Sequence, residues 1–65
     1  MGNEALTDYI LAVVTLHRDA VAAGGAPVFF VPNQQELDRV SLYLSKITNS
    51  MIHDLETGTY VLVKH

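Results

Sequence analysis

Cysteine and tryptophan are absent, proline occurs twice, and only four residues are Lys or Arg. Without cysteine the chain can form neither a disulfide nor a thiolate zinc site, two common supports of a very small protein. The four cations face seven acids, for a net charge of −3. Arg18, Arg39, Lys46 and Lys64 are scattered and form no basic stripe, which disfavours a nucleic-acid partner because phosphate contacts supply much of such affinity. The most hydrophobic stretch, residues 6–23, is interrupted by Asp8, His17, Arg18 and Asp19, well short of an uninterrupted membrane span. The first dozen residues carry Glu4 and Asp8 and no basic region, unlike a secretory leader. A soluble, cytoplasmic protein with no membrane contact is the resulting expectation.

What is present is an apolar excess. At 65 residues the chain is expected to form a single small domain over 1–65, yet 49% of its residues are hydrophobic. A domain of this size buries only about 60% of the surface its unfolded chain exposes, so a partner chain is the expected source of further burial. No repeat, low-complexity tract or internal boundary divides it.

The pattern predicts the order α-β-α-β, an α/β class with a small α+β arrangement as the variant. A first helix is expected over 3–23, capped by Asn3 and stopped by Gly24-Gly25, with one broad apolar face running from Leu6 to Val21. Val28 to Val31, between Pro27 and Pro32, reads as a short strand buried on both faces. Asn33 and Glu36 form a capping box. Behind them Leu37, Val40, Leu44, Ile47 and Met51 recur in steps of three and four, and Leu55 extends the helix to about residue 55 or 56. Thr48-Asn49-Ser50 are poor helix formers and leave a hairpin turning at Thr57-Gly58 as the alternative; the weak alternation of 50–56 favours the long helix. Thr59 to Lys64 reads as a second strand, parallel to the first, with both faces apolar. A two-stranded sheet of that kind has two open edges, and joining two copies edge to edge would extend it across a homodimer.

Residues that could carry chemistry are few. His17 lies on the apolar face of the expected first helix, a candidate buried polar or pH-sensitive group. His53, Asp54 and His65 offer metal-ligand chemistry without diagnostic spacing, so neither a metal nor another cofactor is expected. The segment 32–35 joins a strand to a helix N-terminus but lacks a glycine-rich phosphate loop. No nucleophile–base pair or G-x-S-x-G motif is present. The leading expectation is a non-catalytic, self-associating interaction or accessory module. Its interface would be the seam Leu37, Val40, Leu44, Ile47 and Met51, and its partner a second copy or another protein. The alternatives are a small DNA-binding regulator with a C-terminal wing, and a small-molecule binder or enzyme subunit with its site between chains.

Overall fold

The computed structural model describes residues 8–20 and 25–65. Their elements are β1 (Tyr9–Thr15), β2 (Val28–Phe30), α1 (Gln34–Thr48), β3 (Met51–Asp54) and β4 (Thr59–Lys64). The class is therefore α+β: one helix on a four-stranded mixed sheet of order β2-β1-β4-β3. β1 pairs parallel with β2 and antiparallel with β4, which pairs antiparallel with β3. The expected order α-β-α-β is not confirmed.

The first helix is corrected for its central portion. Tyr9 to Thr15 is a strand, whereas residues 3–7 and 21–23 of the expected helix lie outside the described residues. The physical reason is visible in the composition of the run. Ile10, Val13, Val14 and Thr15 are β-branched and suit a pleated surface, and the half of β1 from Ala12 to Thr15, between β2 and β4, is buried on both faces. Such a strand shows no polar alternation, so its apolar residues also fill a broad helical arc.

α1 begins as expected. Asn33 is extended, and its side chain accepts from the backbone N–H of Glu36 at 2.9 Å. The helix ends at Thr48 rather than near 55, and the hairpin alternative is the observed structure. Residues 48–50 build the stop. Asn49 adopts the left-handed conformation at φ 56°, which Asn tolerates better than most side chains. Ser45 Oγ donates to the Ser50 carbonyl at 2.6 Å, and Lys64 Nζ donates to the carbonyls of Thr48 and Asn49 at 2.8 and 3.2 Å. A cation from β4 thus satisfies carbonyls that the last helical turn leaves without partners. The chain turns into β3, and Leu55 N–H bonds to the Thr59 carbonyl across the hairpin.

Val28 to Phe30 is a strand as expected, but all three residues are exposed because β2 lies at an edge of the sheet. It is not a neighbour of β4, so the expected parallel pairing of those two strands is replaced by β2 against β1. The sheet reaches four strands within one chain. The argument for a homodimer from an incomplete two-stranded sheet therefore loses its premise.

The core lies between the sheet and α1. Ala12, Val14, Val31, Leu37 and Leu62 are buried together, with Leu16, Val40, Leu44, Ile52 and Tyr60 packed around them. Ser41 also faces inward, is fully buried, and its hydroxyl has no hydrogen-bond partner among the described residues. Burying an unpaired hydroxyl costs about 1–3 kcal/mol, and Ala is also the better helix former. Ser41→Ala is therefore expected to raise stability by about 1 kcal/mol in urea titration; an equal loss would show that the hydroxyl is paired in solution.

Candidate functional site

The sheet face away from α1 is apolar in rows that strand register defines. Ile10, Val63 and Met51 stand side by side across β1, β4 and β3. The next row is Val28, Val13, Val61 and His53. Val13 and Val61 in its middle are buried, whereas Ile10 is 49% and Met51 57% exposed. Phe30 continues this face at the β2 edge, where the Arg18 guanidinium sits 5.0 Å from its ring centroid. Scattered apolar side chains on a surface need no explanation, but contiguous ones mark places where another surface docks.

The seam residues are divided by the structure. Leu37 is fully buried, and Val40 and Leu44 pack beside it against the chain's own sheet. Ile47 is 78% exposed on α1, and Met51 belongs to β3. The regular spacing of five residues thus spans two elements and two different surfaces. His17 is not buried: it follows β1 on the surface, and its Nε2 lies 2.6 Å from the Thr57 carbonyl. The expectation of burial depended on a helix through residue 17, which the chain does not form. What is buried there is Thr15, whose Oγ1 lies 2.8 Å from Thr59 Oγ1 and accepts from the backbone N–H of His17 at 3.1 Å.

His65 Nδ1 is 3.3 Å from Asp8 Oδ1, and the His65 and His53 rings are 5.9 Å apart. No group of three ligating side chains able to hold a metal occurs among the described residues. Two of the three cations that a DNA-binding wing would require, Arg39 and Lys64, have other contacts. Arg39 pairs with Glu36 at 2.6 Å, holding that carboxyl below its ordinary range, and Lys64 is directed to the helix end.

At the other end of α1, Tyr60 donates its hydroxyl to Asp38 Oδ1 at 2.6 Å, while Gln34 Nε2 reaches both groups. The hydrogen bond to Asp38 is the main cause that raises the Tyr60 pKa above 10.0; desolvation adds to it and Gln34 opposes it. Because the folded value is raised, this group's stabilisation is complete below the unfolded phenol's pKa and is lost as pH climbs through the folded one. Tyr60→Phe should therefore be less stable than the wild type at neutral pH, and the gap should narrow above about pH 10. Paired urea titrations between pH 7 and 11 check this; a constant gap would show that Tyr60 ionisation is not linked to folding.

The fold is that of a small α+β domain with apolar rows exposed on one sheet face. The chain belongs to the family described as the capping complex subunit for YIEGIA, whose model matches residues 7–65. It is also similar to an uncharacterized protein of Bacillus subtilis (strain 168), YpzH, at 41% identity over 63 residues, covering 97% of each chain. No solved structure matches it. Membership in a capping complex implies contact with other proteins. No helix among the described residues is long and apolar enough to cross a membrane.

The sequence reading missed the far sheet face and the β3 edge. Thr48-Asn49-Ser50 and Gly58 were the signals that could have revealed them, because together they delimit a hairpin strand.

Proposed function

We propose that this chain is a non-catalytic, cytoplasmic docking subunit that joins a YIEGIA protein in a capping complex. The observation that carries the reading is a core complete within the chain beside apolar rows left exposed. Leu37 and Leu62 close the interior beneath α1, yet Ile10 and Met51 flank Val63 on the opposite face without a covering helix among the described residues. The family description supplies the kind of partner that would cover such a surface.

Co-expression of the tagged chain with a full-length YIEGIA protein tests the assignment. Retention of both proteins through affinity and size-exclusion steps is the expected outcome. Separate elution of two folded proteins at micromolar concentration would refute it. A second copy is the alternative occupant of the exposed surface, as the apolar excess first suggested. Two chains of net charge −3 repel one another, which favours a different protein. Light scattering on the chain alone separates the readings: a monomer is expected, and a concentration-independent dimer would favour self-association.

A further inference from the structure

We propose that the outer edge of β3 accepts an extended segment of the partner as a fifth strand, and that this segment is basic. The proposal rests on the docking reading and names the mode of recognition within it.

The two sheet edges differ. β2 is three residues long, with Pro27 immediately before it and Pro32 two residues beyond it. Prolines lack an N–H, and a very short strand offers few backbone groups, so this edge is poorly suited to extension. β3 runs from Met51 to Asp54 with neither proline nor lysine, and no strand lies on its outer side among the described residues. Its geometry is already set, since β4 holds its inner edge and the hairpin is closed by the Leu55–Thr59 bond. Strand addition to such an edge derives affinity from main-chain hydrogen bonds and specificity from alternating side chains.

Charge identifies the occupant. Asp54 ends β3, Glu56 follows in the turn, and Asp38 on α1 shares with Asp54 an influence on Tyr60. None of these three acids is in an ion pair among the described residues. Three of the chain's cations have other contacts: Arg18 with Phe30, Arg39 with Glu36, and Lys64 with the end of α1. An added strand would place alternate residues beside Met51 and His53 on the far face, and beside Ile52 and Asp54 on the α1 face. The matching segment therefore carries an apolar residue against Met51 and a Lys or Arg against Asp54, where Asp38 adds to the field. A second copy fits less well. In any register that keeps like faces together, Asp54 stands opposite an even-numbered residue near β3 of the copy, Ser50, Ile52, Asp54 or Glu56, which gives it no cation.

The test uses the intact chain with a full-length YIEGIA protein. Hydrogen exchange is measured across residues 51–54, and affinity is measured for Asp54→Asn with Glu56→Gln at low and high salt. Asn keeps the acceptor that receives the Glu56 N–H at 2.7 Å, so the turn is preserved while the charge is removed. The expected result is at least tenfold slower exchange in β3 on binding. The double variant should bind at least tenfold more weakly at low salt, with the difference shrinking as salt rises. Unchanged β3 exchange in a complex that still forms would overturn strand addition, and full affinity of the double variant would overturn the basic occupant; either result leaves the docking function intact. No complex at all would overturn both. Protection that appears without the partner and grows with the chain's own concentration would assign the edge to a second copy and overturn the basic occupant.

Discussion

Leu62→Ala is expected to cost about 2–5 kcal/mol, the range for removing a buried leucine and leaving a cavity. Leu62 is fully buried in β4, the strand flanked by β1 and β3, and it packs in the cluster that contains Val14 and Leu37. Three elements meet at this side chain, so no single movement can close the space. A chain of 65 residues commonly has a total stability of roughly 3–10 kcal/mol, which makes this one truncation comparable with the whole. Urea titration followed by the helical circular dichroism of α1 should show a much lower midpoint, or an unfolded variant at 25 °C. Ile47→Ala is the control, because it removes an aliphatic side chain that is 78% exposed, and its cost should stay within about 0.5 kcal/mol. Equal costs at the two positions would contradict this core and return weight to an interface through Ile47.

That contrast also shows what the sequence could disclose. The N-cap at Asn33, the helix behind it, and the strand Thr59 to Lys64 were legible, because each depends on neighbours within a few residues, although the Glu36 carboxylate pairs with Arg39 rather than closing the expected box. Leu37, Val40 and Leu44 were legible as one face of a helix, but the same spacing continued through Ile47 to Met51 and Leu55 by coincidence. Ile47 turns outward and Met51 lies on the far side of the sheet. The local signals at 48–50 carried the truth against that periodicity. Tyr9 to Thr15 was harder. A strand with apolar side chains on both faces lacks alternation, so only residue type separates it from a helix, and its neighbours β2 and β4 are distant in sequence. The position of β3 at the sheet edge was illegible for a related reason. Whether β3 is internal or outermost depends on β1 inserting between β2 and β4, which no local pattern of Met51 to Asp54 records.

The same long-range closure makes Gly58 a demanding backbone position of the hairpin. Its φ is +80°, and a Cβ placed there would lie 3.2 Å from His17 Nε2. Its carbonyl meanwhile accepts from the Leu16 N–H at 2.9 Å, tying the turn to the end of β1. Gly58→Ala therefore combines two costs. The left-handed conformation disfavours any L side chain by roughly 1–2 kcal/mol, and the His17 ring must move away from the Thr57 carbonyl it meets at 2.6 Å. A loss of about 1–3 kcal/mol is expected in total. A double-mutant cycle with His17→Ala separates the terms. Removing the ring relieves the contact but leaves φ unchanged, so Gly58→Ala should be milder in the His17→Ala background by about 0.5–1 kcal/mol and still clearly unfavourable. Identical costs in both backgrounds would show that His17 does not rest on the turn in solution. Full recovery in the His17→Ala background would show that backbone conformation contributes nothing and that the turn relaxes to a negative φ once the ring is gone.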